Sequence, residues 1–294
     1  MKTISVLWLA VLLWGIPFMS TAQTVDQNFI DALHFILMKG SPQQAWSLIE
    51  AGADVNAPNP HLGGLSGLKV AAAYNPDPEV ITTLIDAGAD IHARDDRGMT
   101  ALMFAGLINS PEVTQRLLDA GAEVNSRDSF GKTVLMHAAS HNENPHVTLS
   151  LIDAGADIHA REEKGWTALI YAAFENQNPE VTEALLDADA EVNARAGDGT
   201  TALMRAAARN KNVEVVATLL DAGAEVNATS KGDLTALMLA AAISTNPDVI
   251  ITLLDVGADG AAIDDSGATA FDYAKENESL QGTRAYWKLN EARF

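Results

Sequence analysis

The sequence predicts an all-α solenoid of about eight helix-turn-helix units behind a short export signal. Three observations carry that expectation. Ser66, Thr100, Thr133, Thr167, Thr201, Thr235 and Thr269 open near-copies of one phrase at separations of 33 or 34 residues, a period that signifies stacked supersecondary units. Most copies hold two helix-start signatures, one at that hydroxyl residue and one at an Asn-Pro or Ser-Pro in the following loop, both of which cap helices well. The chain is also 48% apolar at a formal charge of −20, so its acidity belongs to a folded body and not to a disordered chain.

At the amino terminus, Lys2 precedes an apolar run from Ile4 to Met19, and Ser20-Thr21-Ala22 follows with small residues. This is the layout of a secretory signal cleaved after Ala22, with Gly15 and Pro17 breaking the helix just ahead of the site. The run is short for a membrane span, and an uncleaved amino-terminal anchor is the alternative. No later apolar stretch approaches the length of a span. Residues 1–22 are therefore expected to be the signal and residues 23–294 the repeat array, with capping units near 28–57 and 266–294. The expected location is extracytoplasmic, periplasmic or secreted. The chain has no cysteine, which excludes disulfides, thiolate metal sites and thiol catalysis together.

Within a unit each residue has a physical task. The Thr133 hydroxyl can cap a first helix, and Leu135, Ala138 and Ala139 then share one face. Small alanines let neighbouring helices approach closely. In Asn178-Pro179-Glu180, Asn caps a second helix, Pro fits its first turn, and the acid suits the positive helix end. Val181, Leu185 and Leu186 give that helix a buried stripe. Gly155 ends the preceding unit's second helix, where a left-handed backbone is often needed.

The phrase Gly-x-Thr-Ala-Leu-Met-x-Ala-Ala, the ending Leu-Leu-Asp-Ala-Gly-Ala-Glu-Val-Asn-Ala and the 33–34-residue period resemble ankyrin repeats, from about Phe29 to Phe294. The resemblance is to an exported, bacterial-type array. It implies antiparallel helix pairs with projecting hairpin-like turns, a concave binding surface and a protein partner. Departures from the family pattern mark special positions. Met103, Met136, Met204 and Met238 stand where the family has His and are expected to fill core. Asp189 replaces a helix-ending Gly, Ala196 replaces an acid that links adjacent turns, and Asp233 replaces a turn Gly. The junctions around 189–196 and 230–235 are expected soft points. Tyr286 and Trp287 are expected to seal the last unit.

Residues with chemistry are accounted for by the repeat. His137 and His141 share a helix face, but no Glu follows His137 as in a zinc-protease helix, and zinc needs three or four converging ligands. His92 and His159 fill the slot of Asn56, Asn125, Asn193 and Asn227, where a backbone-capping role is expected. The recurring carboxylates form rows, and no Gly-x-Ser-x-Gly elbow or phosphate loop occurs. No catalytic residue, metal or cofactor is expected. With 39 acidic against 19 basic residues, nucleic acid is not an expected partner, since phosphate polymers are held largely by Lys and Arg.

A partner surface follows from what varies. The residue two beyond the core Leu of each first helix points off the core face, and that row reads Phe104, His137, Tyr171, Arg205, Leu239, Tyr273. The turns add Arg94, Arg127, Arg161 and Arg195, and ahead of each Thr come Met99, Lys132, Trp166 and Thr200. Aromatic and Arg side chains are the types enriched in binding hot spots. The sequence thus predicts a monomeric, non-catalytic module that binds a protein through Arg94, Phe104, Arg127, Lys132, His137, Arg161, Trp166, Tyr171, Arg195 and Arg205. The alternatives are a scaffold that stabilises an extracytoplasmic enzyme, or a metal-dependent hydrolase.

Overall fold

The computed structural model describes residues 22–294, with side chains described from Ile30 onward; the expected signal lies outside the described residues up to its cleavage site. Among the described residues there are sixteen α-helices and no strand. They are α1 Ala22–Lys39, α2 Pro42–Glu50, α3 Gly67–Tyr74, α4 Pro78–Asp86, α5 Ala101–Ile108, α6 Pro111–Asp119, α7 Val134–His141 and α8 Pro145–Asp153, then α9 Ala168–Glu175, α10 Pro179–Asp187, α11 Ala202–Arg209, α12 Val213–Asp221, α13 Ala236–Ile243, α14 Pro247–Asp255, α15 Ala270–Ala274 and α16 Arg284–Ala292. Contacts divide the chain into one unit ending at Ser129 and another running from Phe130 to Phe294. In the first unit α1, α3 and α5 pack in series, and so do α2, α4 and α6. In the second the two series are α7, α9, α11, α13, α15 and α8, α10, α12, α14, α16.

The expected caps form. Thr100, Thr133, Thr167, Thr201 and Thr235 each accept, on the side-chain oxygen, the N–H of the third residue along. Ser66 makes no such bond, and its hydroxyl oxygen is buried without a partner. Met103, Met136, Met204 and Met238 are at most 1% exposed, as expected of core filler. Lys69 occupies the same slot in α3 and is also buried; burial pushes its ammonium pKa down, against the pull of Asp95, Asp90 and Asp96. The left-handed backbone expected at Asp189 is present (φ 67°), and Asp233 shares it (φ 56°), each at a cost of about 1 kcal/mol relative to Gly.

Two sets of asparagines tie the repeats together. At the end of the first helices, the Asn210 amide donates to the carbonyls of Ala173 (3.0 Å) and Asn176 (2.8 Å). Asn176 donates likewise to Ala139 and Asn142, and Asn277 to Ala241 and Ser244. Ser244 interrupts this ladder; its short hydroxyl bonds only within its own loop, to Asn246. Near the turns, Asn193 donates to the Gly223 carbonyl and accepts the Glu225 N–H, and Asn227 does the same with Gly257 and Asp259. His92 and His159 do not take up that role, contrary to expectation. Both are exposed, and the broad ring cannot present a donor and an acceptor in the geometry of a carboxamide. Beside His92 a cleft of about 170 Å³ remains, lined also by Arg94, Glu123 and Ser126.

The last pair is closed differently from the expectation. Tyr286 packs on buried Phe271 with ring centroids 5.0 Å apart, but Trp287 is 57% exposed and meets the Tyr286 ring in a T-shaped pair. Phe271, Leu280, Ala285 and Leu289 form the seal.

Candidate functional site

The turns come first, because they hold four of the predicted contact residues. Arg161 Nη1 donates to the Gly165 carbonyl of its own turn (3.1 Å) and to the Arg195 carbonyl of the next (2.7 Å). Arg195 repeats the pattern with Gly199 (3.3 Å) and Thr229 (2.5 Å), and Arg94 with Gly98 (3.1 Å) and Arg127 (2.6 Å). Arg161 also lies 3.6 Å from Glu191. A charge-assisted bond to a carbonyl is worth more than a neutral one, so this row links successive turns. That corrects the expectation that Arg94, Arg161 and Arg195 face a partner unencumbered: one nitrogen of each guanidinium is committed within the chain. Arg127 stands exposed in the same register.

Turn acids are committed as well. Glu162 is buried and accepts the N–H groups of Lys164 (2.9 Å) and Trp166 (3.0 Å), which fixes where Trp166 leaves the turn. Where Ala196 lacks that carboxylate, Asp198 substitutes two residues on. It accepts the Thr200 N–H and hydroxyl and pairs with Arg205 at 2.5 Å. The Thr200 bonds and Arg205 outweigh partial burial and hold the Asp198 pKa below the usual carboxylate value.

Above this turn lies an aromatic cluster spanning three consecutive repeats of the Phe130–Phe294 unit. Trp166 packs against Tyr171 (centroids 5.0 Å) and edge-on against Phe174 (5.4 Å). Lys132 lies 4.2 Å above the Tyr171 ring, Arg205 4.6 Å above Trp166 and Arg209 6.0 Å above Phe174. Each cation is attracted by the negative ring face, by about 0.5–1 kcal/mol at exposed sites. The result is an apolar centre with a cationic rim, with Tyr171, Phe174, Arg205 and Arg209 on helices and Lys132 and Trp166 on the turns just ahead of them.

The row predicted to point off the core mostly does so. Phe104, His137, Arg205, Leu239 and Tyr273 are half-buried, as are Lys132 and Trp166. Tyr171 is the correction: it is only 7% exposed, covered by its neighbours Trp166 and Lys132, so it supports the surface from beneath. Sequence reasoning missed Phe174 and Arg209. They lie later on the first helices, at positions that also vary between repeats: Phe174 corresponds to Ser140 and Ala208, and Arg209 to His141 and Glu175. His141 lies 3.6 Å from Glu175 and 2.6 Å from the Ser140 hydroxyl. Among the described residues no group of three or more His, Asp or Glu could hold a metal ion, and no helix is long and apolar enough to cross a membrane.

Paired helices stacked at a fixed period, joined by turns that are tied repeat to repeat, define a helical-repeat protein whose off-core row is free to vary. A family profile described as ankyrin repeats (3 copies) matches residues 68–162, 139–230 and 207–285. The chain therefore belongs to the ankyrin-repeat family. Among solved structures it is similar to the human ASB11 ankyrin repeat domain, with a TM-score of 0.68 and 25% identity, over 78% of this chain and 98% of that one. No curated protein matches it. Ankyrin repeats are generally protein-interaction modules, the fold is typically non-catalytic, and a protein partner is the class they suggest.

Proposed function

We propose that this chain is a non-catalytic binding module, monomeric and extracytoplasmic, that holds a partner protein on the first-helix face of the Phe130–Phe294 unit, with Trp166 at the centre of contact. One observation carries the reading: the Trp166, Tyr171, Phe174 cluster with Lys132, Arg205 and Arg209 around it is built on positions that the repeat leaves free to vary. An aromatic anchor ringed by polar groups that exclude water is the arrangement that concentrates binding energy. The arginine row, which links turns, contributes by fixing the curvature and spacing of the surface more than by reaching outward. The leader-like residues Met1–Ala22 support action outside the cytoplasm.

Crosslinking in that compartment and recovery of the bound protein gives the ligand for the test. Trp166→Ala is expected to weaken its capture at least tenfold with the fold retained by circular dichroism. Unchanged capture by that variant would refute the reading.

A further inference from the structure

The Trp166 surface has a chemical preference that its charge distribution reveals. This inference rests on the binding face described above and names the class of segment it takes. Four of the five second helices of this unit, α8, α10, α12 and α14, carry eight carboxylates and not one Lys or Arg; the fifth, α16, carries Arg284 and Lys288, and Lys288 pairs with Asp255 of α14. From Phe130 to Ala268 every basic residue lies instead on a turn, a first helix or the loop after it: Lys132, Arg161, Lys164, Arg195, Arg205, Arg209, Lys211 and Lys231. In a chain with twice as many acids as bases, this is a strong segregation. It leaves the helices α8 to α14 of that series without a cation of their own and gathers the cations on the other side.

Several acids on the cationic side are occupied, and Glu175 lies 3.6 Å from His141. Glu162 is buried against backbone N–H groups, and Asp198 is held by Thr200 and Arg205. The cations at the far rim are not: the side chains of Arg209 and Lys211 form no ion pair or hydrogen bond among the described residues, and both are exposed. A carboxylate arriving at Arg209 or Lys211 therefore gains a charge-assisted bond without breaking one. A neighbouring apolar side chain meets Trp166 and Phe174.

We infer that the surface receives an acidic segment of a partner polypeptide, one with carboxylates flanking an apolar or aromatic residue. A long polyanion such as nucleic acid is disfavoured, because it would run off this island onto a molecule of net charge −20, where its phosphates are repelled.

A displayed library of random twelve-residue peptides, selected on the purified full chain, tests this. The expected result is enrichment of peptides with net negative charge and at least one aromatic or large aliphatic residue. A synthetic copy of the most enriched peptide should bind about tenfold more weakly to the Arg209→Glu/Lys211→Glu double variant, and equally weakly when its Asp and Glu are replaced by Asn and Gln. Both substituted residues are exposed, so the variant's fold is checked simply by its thermal midpoint. If peptides depend on Trp166 but are neutral or basic, the acidic preference is overturned and the binding face stands. If no enriched peptide loses affinity for Trp166→Ala, the binding face itself is overturned. A fluorescent twenty-nucleotide single strand that binds as tightly as the peptide, with the same sensitivity to Arg209→Glu/Lys211→Glu, would also overturn it.

Discussion

The two sides of a first helix in the Phe130–Phe294 unit obey different rules. On α13, Leu237 is 1% exposed and locked among neighbouring repeats, whereas Leu239, two residues later, is half-buried at the rim of the outer row. The inner side repeats its residues because each must fit the same residue of the repeat before and after it. The outer side has no such duty, so it holds His137, Tyr171, Arg205 or Leu239 at one register position. On the proposed function, stability and recognition are thereby assigned to opposite sides of one short helix. A repeat array can change its partner without changing its stack.

Substitutions on the two sides should separate by size of effect. The largest is expected at the core: Leu237→Ala should cost about 2–5 kcal/mol, while Leu239→Ala should cost about 1 kcal/mol or less, both read from urea denaturation. Next comes the ladder. Asn210→Ala leaves the Ala173 and Asn176 carbonyls without their donor, and each unmet buried group costs about 1–3 kcal/mol; a change in the denaturation midpoint of that order is expected. Repairing the break should act in the opposite sense. Ser244→Asn would place an amide where Asn210 and Asn277 have theirs and is expected to stabilise by about 1 kcal/mol. A loss of stability there would show that the ladder's geometry is not shared by this repeat.

The smallest effect concerns acid. Asp264 accepts from Ser266, from the Tyr273 hydroxyl and from the Ala268 N–H, and these bonds hold its carboxyl far below the usual range. Asp272 is held down likewise, chiefly by Lys275 and Thr269. A depressed carboxylate contributes stability above its unfolded pKa and loses it as pH falls through the depressed one. The last repeat should therefore loosen only in strong acid. Tyr273→Phe removes one bond, and the acid transition followed by Trp287 fluorescence is expected to move to higher pH.

Much of this architecture was legible because its causes are local. A Thr followed by Ala-Leu-Met caps and starts a helix from its own few residues, and the period does the rest. The arginine row was not legible in the same way: Arg161 reaches a carbonyl of the next repeat, and every residue has a carbonyl, so no side-chain identity announces the bond. Tyr171 was misjudged for a related reason. The helix angle that places it off the core is right, but its cover comes from Lys132 of the preceding repeat and from Trp166 on the turn just ahead of its own helix. The recurrence of Asn142, Asn176 and Asn210 at helix ends was visible all along. Its meaning emerged only with the two carbonyls that each of Asn176 and Asn210 bridges.

The central claim is that recognition is concentrated at Trp166. Two tryptophans allow a direct comparison, since Trp46 is 43% exposed on α2, a second helix of the other unit. Affinity for the recovered partner should be measured by calorimetry for Trp166→Ala and Trp46→Ala, with thermal midpoints alongside. A loss of at least tenfold (about 1.4 kcal/mol) for Trp166→Ala, with Trp46→Ala within twofold of the parent, is the result predicted. Equal losses, or a larger loss at Trp46, would contradict it.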